Sequence, residues 1–509
     1  MGKSPDRTSA FLTSGAPQTI HPRVMQTALT PETESPENLS RVLWAFAWPV
    51  VALNSLQVLN TLLDRFFVGQ LPSSALMAQS GAMNLMFLLF SIAASIATGA
   101  SAIVSRAYGA KNRAEFREAA RQSVRMAMVF GLLLAGIGIL ATPFVARLVL
   151  PASETAAIAS MIEFLRIYAL GLPAIFVIQS LAGCLRGVGD SRSPMWISGI
   201  QILAHIALNF VLIFPPRALG ETGLVIPGLN LGLNGAAWGL SLSAWLSALL
   251  YLFLARRTEL GLSGTLGLPR WVWVQRVFRI AIPSAVMSVL RVFSLTAFTI
   301  ILAGVPSGGP AIAAMGVAFA IESIMFMPAF GLSMAASALV GQSLGMKKPE
   351  RAERIAWMAG HHGALVVLAV VAPIYFGAHQ IAGVMIEEKP RPKVETVHQM
   401  QAAEAESEAK KETQKQAVEL LRWLCLTEVG FSYAMILIGA MQGAGDTRNP
   451  LWITVVSLWL LRVPLAWGLA YPLALGATGA WISMSVSQLI QGILAMIVFR
   501  RGAWKSQVV

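Results

Sequence analysis

The chain has 509 residues, of which 56% are hydrophobic and 12% are charged, and its mean hydropathy is +0.65. A soluble domain of average composition carries about 25% charged residues, so this composition excludes an ordinary soluble protein. The formal net charge of +13 would suit a nucleic-acid-binding protein, but the basic residues are placed as in a membrane protein, and we predict no nucleic-acid partner.

The first 41 residues are polar and lack the basic start, apolar run and cleavage site of a signal peptide. We therefore predict a cytoplasmic tail there. Beyond it, apolar segments recur that reach the length of about 20 residues needed for a helix to cross a bilayer. The predicted spans are residues 42–68, 75–104, 122–146, 162–185, 194–214, 233–255, 277–304, 312–340, 355–386, 418–441, 450–472 and 477–499.

Lys and Arg are distributed unevenly between the two sides of the predicted membrane. The even-numbered connections between spans contain 16 of them and the two tails contain 7 more. The odd-numbered connections contain only Arg147 and Arg217, apart from a polar insert at 387–416. Basic residues collect on the cytoplasmic side, so both termini are predicted to be cytoplasmic in a multi-pass protein of the cell (inner or plasma) membrane. The insert is predicted to be an exposed helical extension of the tenth span.

Two internal repeats divide the chain into halves. Residues 183–198 (GCLRGVGDSRSPMWIS) match 439–454 (GAMQGAGDTRNPLWIT) at eight of sixteen positions, at an offset of 256, and ASAIVSRAYGAKN from Ala100 matches ASALVGQSLGMKK from Ala336 at an offset of 236. We predict an all-α polytopic membrane protein with twelve transmembrane helices in two pseudo-symmetric six-helix lobes. In transporters, parallel repeats of this kind place the substrate cavity between the halves.

The repeats also set the predicted domain limits. These are the tail at 1–41, an N-terminal lobe at 42–255, a cytoplasmic linker at 256–276, a C-terminal lobe at 277–499 and a second cytoplasmic tail at 500–509.

The repeated Gly-Asp-Arg-Pro stretch lies between spans four and five and again between spans ten and eleven. Its glycines allow a tight turn, and Asp190 and Asp446 are able to accept backbone N–H bonds there. Arg192 and Arg448 are placed to reach lipid phosphates or the acid. We predict a cytoplasmic hairpin turn, with a gate contact in one access state as the alternative.

Several motifs resemble those of the multidrug and toxic compound extrusion (MATE) transporters. They are GCLRGVGDSRSP, GAMQGAGDTRNP, IESIMFMPAFGLSMAASALVGQSLG and LLDRFFVGQLPSSALMAQSGAM, and the resemblance covers residues 43–500 except the insert. It implies an antiporter that exports organic, often cationic compounds against a proton or sodium gradient by rocking of two lobes.

Asp64 lies far along the first span, and an ionisable group inside the membrane costs about 2.5–3.5 kcal/mol on insertion scales. It matches the acid of the first MATE helix, where the resemblance implies a coupling-ion site. The alternative is a purely structural role for Asp64 in an ion pair with Arg65, but adjacent helical residues do not face each other.

His205 and Asn209 are four residues apart in the fifth span and therefore share one helix face. The family often has a polar pair here, and the proton-coupled DinF-type branch has Asp at the second position, so Asn209 departs from it. We expect Asp64 and His205 to share protonation, since His titrates near physiological pH. A buried, hydrogen-bonded structural histidine is the alternative.

Glu322 is the main acidic candidate of the C-terminal half, either facing the cavity or paired with Arg291. The sodium-coupled NorM-type branch has acids on helices seven and ten. Arg291 and Phe431 occupy those positions here, which favours the DinF-type branch and protons over sodium. Glu428, one turn before Phe431, is a weak substitute.

The sequence thus predicts a proton-coupled antiporter for cationic or amphipathic organic compounds that works as a monomer in the bilayer, with no enzymatic activity, cofactor or metal. The alternatives are a sodium-coupled MATE exporter, and a lipid-linked precursor flippase or metabolite exporter of the same superfamily. An intramembrane enzyme would need clustered His, Asp or Ser residues, and a channel would need repeated polar rings.

Overall fold

The computed structural model describes residues 35–218, 225–265, 267–386 and 397–507. Most of the predicted N-terminal tail and the start of the insert lie outside these residues. Within these described ranges twelve helices are long and apolar enough to cross a membrane, which confirms the predicted fold class. They are α1 (Pro36–Val68), α2 (Ser73–Gly109), α3 (Arg113–Val149), α4 (Thr155–Gly187), α5 (Arg192–Leu212), α6 (Gly232–Arg257), α7 (Trp271–Ala303), α8 (Gly308–Gly345), α9 (Pro349–Met385), α10 (Val397–Gly443), α11 (Arg448–Ala470) and α12 (Gly476–Arg500).

Two small elements accompany the helices in the described part of the chain. An antiparallel pair of two-residue strands, β1 (Arg217–Ala218) and β2 (Val225–Ile226), lies between α5 and α6. A 3₁₀ turn at Ala503–Ser506 follows α12. Because the number of spans is even, α1 begins and α12 ends on the same side of the membrane, which we call the terminal side.

The repeated turns begin the fifth and eleventh helices in the same way. Gly189 and Gly445 adopt φ values of 95° and 87°, which glycine tolerates best. Asp190 Oδ1 then accepts a hydrogen bond from the Ser193 backbone N–H at 2.9 Å, and Asp446 Oδ1 accepts one from Asn449 at 3.2 Å. Each aspartate satisfies a first-turn N–H that has no partner within the helix.

The two halves cross through reciprocal glycine contacts on the terminal side. A Cβ added at Gly109 of α2 would overlap the Gln342 carbonyl oxygen of α8, and one added at Gly345 of α8 would overlap the Arg106 carbonyl oxygen of α2. Gly109 and Gly345 are equivalent at the repeat offset of 236, and so are Arg106 and Gln342, so each contact is the pseudo-symmetric copy of the other. Helices α2 and α8 are therefore in backbone-to-backbone contact at the pseudo-twofold axis.

The same symmetry relates the packing within each half. Gly183 of α4 leaves room for the Ala97 carbonyl oxygen, 2.8 Å from an added Cβ, and its repeat Gly439 of α10 packs against Ser333. Glycine is required at these positions because the helices touch through their backbones.

The first turns of α1 and α7 each pack in the hydrophobic core of the other half. Leu43, Phe46 and Ala47 of α1 belong to the core of the C-terminal half, whereas Val277 and Ile280 of α7 belong to that of the N-terminal half. Each of these two helices therefore begins in the hydrophobic core of one lobe, and its later turns face the other lobe.

The insert continues α10 as a helix from Val397, and only part of it is exposed. Gln416 and Thr413 are buried, and Gln416 Oε1 accepts a hydrogen bond from the fully buried Trp481 of α12 at 2.9 Å. This end of the insert is thus packed against the C-terminal lobe, in contrast to the exposed extension expected from the sequence.

We expect Gly345→Ala to destabilise the protein, because its Cβ would overlap backbone and overpacking costs about 1–3 kcal/mol. Gly316→Ala on the same helix is the matched control, since nothing lies within 4 Å of its Cβ. Thermal unfolding in detergent should show a lower Tm for Gly345→Ala and an unchanged or higher Tm for Gly316→Ala. Equal Tm values would contradict the backbone contact.

Candidate functional site

Asp64 lies one turn before the end of α1 and faces two side chains of α5. Its Oδ1 accepts a hydrogen bond from Asn209 Nδ2 at 3.1 Å, and His205 Nε2 lies 3.4 Å from the same oxygen. The spacing of His205 and Asn209 by four residues places both on the face of α5 that meets α1. The structure therefore brings together the three residues that the sequence singled out in the N-terminal half.

Asn60 completes the group from one turn earlier on α1, and its Oδ1 lies 3.0 Å from His205 Nδ1. We call Asn60, Asp64, His205 and Asn209 the Asp64 cluster. His205 and Asn209 are 2% and 1% exposed, whereas the Asp64 side chain is 19% exposed. The carboxylate is thus the accessible member of an otherwise buried polar group.

The hydrogen-bond geometry of the cluster can accommodate one additional proton, between His205 Nε2 and Asp64 Oδ1. A ring that donates from Nδ1 to Asn60 presents the lone pair of its Nε2 to Asp64, and a carboxylate oxygen also accepts only. Two acceptors then face each other at 3.4 Å, and His205 Nε2 has no other hydrogen-bond partner. A proton on either group turns this contact into a donor–acceptor pair.

Arg65 points away from Asp64. It is exposed, and its Nη2 lies 3.7 Å from Met83 Sδ. The ion pair considered as the structural alternative for Asp64 is therefore not formed.

Glu322 lies in the C-terminal half, apart from the Asp64 cluster. Its Oε1 accepts a hydrogen bond from Gln488 Nε2 at 2.9 Å, and Gln488 Oε1 accepts one from Thr427 at 3.2 Å. Arg291, considered as the alternative partner of Glu322, is exposed and stands in no ion pair among the described residues. Glu322 is instead hydrogen-bonded to the Gln488 amide, which the Thr427 hydroxyl contacts in turn.

Glu428 and Arg462 belong to the same region. Glu428 is fully buried, and neither of its carboxylate oxygens has a hydrogen-bond partner. Arg462 Nε donates to Ser487 Oγ at 2.7 Å and lies in electrostatic range of Glu322 and Arg291. The C-terminal half therefore has a cluster of two acids and two arginines that differs in kind from the Asp64 cluster.

Helix α11 explains part of this difference. Its middle, Val455–Arg462, is π-helical, whereas the corresponding segment of α5 is α-helical. π-Helical turns are rare and occur frequently at functional sites. At the offset of 256, Leu461 replaces His205, so the second half has no copy of the contact between His205 and Asp64.

The repeated turns lie on the terminal side, away from both clusters. Asp190 and Asp446 hold their own helix starts, and Arg192 and Arg448 are exposed. In the described residues no three His, Cys, Asp or Glu side chains are grouped as metal ligands.

A cavity of about 150 Å³ lies between the halves, next to the glycine crossing. Helix α1 contributes Asn54 and Gln57 to its wall. Ser101 and Ser337 are equivalent at the offset of 236, and Arg186 and Gln442 at the offset of 256, and all four line it. We call it the inter-lobe cavity.

Two features of the site escaped the sequence analysis. Asn60 carries a usable signal, since it stands four residues before Asp64 and therefore on the same face of α1. Arg186 lies within the repeated stretch, but the stretch itself predicts a turn and does not reveal that this side chain reaches the cavity.

The family model for MatE matches residues 49–211 and 283–467, which is more than half of the chain. The chain belongs to the MATE family of membrane transporters. The residues matched by the family model include Asp64, His205 and Asn209 in the first half and Glu322, Glu428 and Arg462 in the second.

Curated relatives extend over nearly the whole chain. "Probable multidrug resistance protein NorM" of Thermotoga maritima is 27% identical over 486 residues, which cover 94% of this chain and 96% of the relative. "Probable multidrug resistance protein YoeA" of Bacillus subtilis is 24% identical and covers 95% of this chain and 98% of its own length.

Solved structures of MATE proteins share the fold. A MATE protein in complex with MaL6 superposes with a TM-score of 0.79 at 21% identity, covering 92% of this chain and 98% of that one. The outward-facing structure of a multidrug resistance MATE transporter of the MOP superfamily gives 0.78 at 21% identity, with coverages of 92% and 97%.

We expect Gly239→Ala to disturb the Asp64 cluster of this MATE transporter without removing a polar group. Gly239 of α6 packs against Asn209, and an added Cβ would overlap Asn209 Oδ1 and lie 3.4 Å from His205 Cδ2. Dye export from cells expressing the variant should fall about tenfold, as a loss of about 1.4 kcal/mol gives.

Gly199→Ala on α5 is the control for this prediction, because its Cβ would meet nothing within 4 Å. It should export at the wild-type rate at equal protein level. Normal export by Gly239→Ala would show that the position of Asn209 against Asp64 is unimportant.

Proposed function

We propose that this MATE transporter is a proton-coupled antiporter that exports small organic compounds by rocking alternating access. The observation that carries the proposal is the contact between Asp64 Oδ1 and His205 Nε2 at 3.4 Å, where one proton satisfies two acceptors that face each other. Asp64 takes up the proton, and Asn60 and Asn209 hold the two groups in place.

The donors around Asp64 favour a proton over a metal cation. Hard cations are bound by several oxygen ligands, whereas Asp64 is approached by the amide nitrogen of Asn209 and a ring nitrogen of His205. Arg291 and Phe431 occupy the positions at which the NorM-type branch has acids, which also supports assignment to the DinF-type branch. The relative from Thermotoga maritima carries the name NorM, and sodium coupling is the alternative to proton coupling.

Glu322 and Glu428 are the candidates for a second proton. A buried carboxylate without a hydrogen-bond donor is costly, and both oxygens of Glu428 lack one. Glu322 lies in electrostatic range of Glu428, so the charge of one disfavours that of the other.

The distribution of the basic residues supports a cytoplasmic terminal side, which is the sidedness that we propose. The halves are then in contact at the cytoplasmic side, and Asp64 lies near the outer end of α1. A proton entering from outside along its gradient reaches Asp64 first. It drives export only by binding the two access states differently, and each charge that crosses the full field adds about 2.3 kcal/mol per 100 mV.

The exported compounds are proposed to be small amphipathic molecules, in line with the multidrug resistance named for the relatives. A dedicated metabolite exporter or lipid-linked precursor flippase is the second candidate. One chain supplies both halves of the cavity, which supports transport by the monomer.

Asp64→Asn should abolish coupling, because asparagine keeps the shape of the side chain but binds no proton in this pH range. In proteoliposomes, an imposed pH gradient should drive dye export by the wild type. The variant should export at the rate of protein-free liposomes under the same gradient.

Glu163→Gln is the matched control, since Glu163 is a carboxylate of the same lobe that accepts a hydrogen bond from Asn234 at 2.6 Å outside the cluster. It should export like the wild type. Equal pH-driven export by Asp64→Asn and wild type would refute the role of Asp64. Export that follows a sodium gradient and ignores the pH gradient would refute proton coupling.

His205→Gln tests whether the ring shares the proton. A glutamine amide supplies a permanent donor to Asp64, which favours the charged carboxylate. We expect pH-driven export to persist and its half-maximal rate to shift to a more acidic external pH. An unchanged pH profile would show that His205 is only a structural residue.

A further inference from the structure

The two repeat-related residues that line the inter-lobe cavity differ in charge. Arg186 of α4 and Gln442 of α10 occupy equivalent positions at the offset of 256, and both line the cavity. Ser101 and Ser337 form a second equivalent pair, and these two are identical. The pseudo-symmetry therefore brings four polar side chains together near the glycine crossing, and only one of them is cationic.

Arg186 has no anionic partner in this structure. It stands in no ion pair among the described residues, and none of the described side chains that line the cavity is acidic. Its electrostatic neighbours are Tyr251 and Cys184, both neutral near pH 7 by their ordinary titration range. Asp190, four residues further along, is engaged by Ser193. Arg186 stands in the last turn of α4 and lines the cavity without an anionic partner, so its guanidinium is available to bind an anion there.

The size of the cavity fits a single chemical group. Pockets for drug-sized ligands occupy about 300–1,000 Å³, whereas this cavity occupies about 150 Å³. The planar guanidinium matches a carboxylate, phosphate or sulfonate in a bidentate arrangement. The amide of Gln442 and the hydroxyls of Ser101 and Ser337 offer further donors to the same group.

Helix α1 connects this cavity with the Asp64 cluster. Gln57 lines the cavity and stands seven residues before Asp64, two helical turns or about 10 Å along the axis. Asn54 and Asn60 extend the same polar stripe below and above Gln57. A compound bound with one end at Arg186 thus extends towards the acid of the cluster.

We propose that Arg186 binds the anionic group of the exported compound, so that the transporter prefers zwitterionic amphiphiles with a carboxylate or similar group over purely cationic ones. The inference rests on the proposed export function and adds the substrate class. The cationic or aromatic part of the compound lies on the Asp64 side of the cavity.

The experiment compares two fluorescent probes: a xanthene dye with a free carboxylate and the methyl ester of the same dye. Binding is measured by fluorescence polarisation with the full-length protein in nanodiscs and no ion gradient. Wild type should bind the acid dye about tenfold more tightly than the ester, because esterification removes the charge that hydrogen-bonds to Arg186.

Arg186→Gln places the residue of the second half in the first half, so the repeat itself shows that glutamine fits this turn. It should lower the affinity for the acid dye about tenfold and leave that for the ester within about twofold. Arg166→Gln, an exposed arginine on the same helix, is the control and should keep the wild-type preference.

Arg186→Lys decides the case in which Arg186→Gln fails to fold or loses both probes. Lysine keeps the charge, so a retained preference for the acid dye supports the proposal, and a lost preference overturns it. Equal binding of the two dyes by wild type, or an unchanged preference in Arg186→Gln, also overturns it.

The outcome is independent of the coupling mechanism, because binding is measured without a gradient. If Asp64→Asn exports normally, the proposed coupling fails while the dye preference stands. If the preference is absent but pH-driven export depends on Asp64, only the assignment of Arg186 fails.

Discussion

The rest of the structure depends on the backbone contact between α2 and α8 on the terminal side. Gly109 and Gly345 are the residues that permit it, and each faces a carbonyl oxygen of the other helix. Without a side chain between them, the two halves meet through backbone at the pseudo-twofold axis. The inter-lobe cavity lies next to this crossing, so its floor is built from repeat-related positions. A close glycine contact also gives two lobes a surface on which small rotations displace few side chains.

The symmetry of the backbone is not matched by symmetry of the ionisable groups. Helix α5 is α-helical and presents His205 and Asn209 to Asp64, whereas α11 is π-helical in the corresponding segment and ends it with Arg462. Duplication preserved the turns and crossing glycines, which packing demands, and left the polar positions free to diverge.

The features that could be predicted from the sequence are those that depend on a single segment or on the internal repeat. Twelve apolar spans, two halves and the shared face of His205 and Asn209 follow from length, offset and helical periodicity. The partner of Glu322 could not be predicted, because Gln488 lies on another helix and the rotation of each helix about its axis sets the contact. For the same reason, the position of the Arg186 side chain in the cavity could not be predicted, since its stretch of sequence predicts only a turn. The insert was expected to be exposed, but Trp481, distant in sequence, buries Gln416.

Helix α1 is the element through which ion and substrate would influence each other. Its first turns pack in the core of the C-terminal lobe, Gln57 lines the inter-lobe cavity, and Asp64 contacts α5 of the N-terminal lobe. A ligand shifts a conformational equilibrium only through its different affinity for the two states. Because α1 bears on both lobes and carries both Gln57 and Asp64, a change of charge at Asp64 and an anion in the inter-lobe cavity would act on the same helix. Gln57 and Asp64 stand about 10 Å apart along α1, so the proposed coupling of ion and substrate would need no further relay.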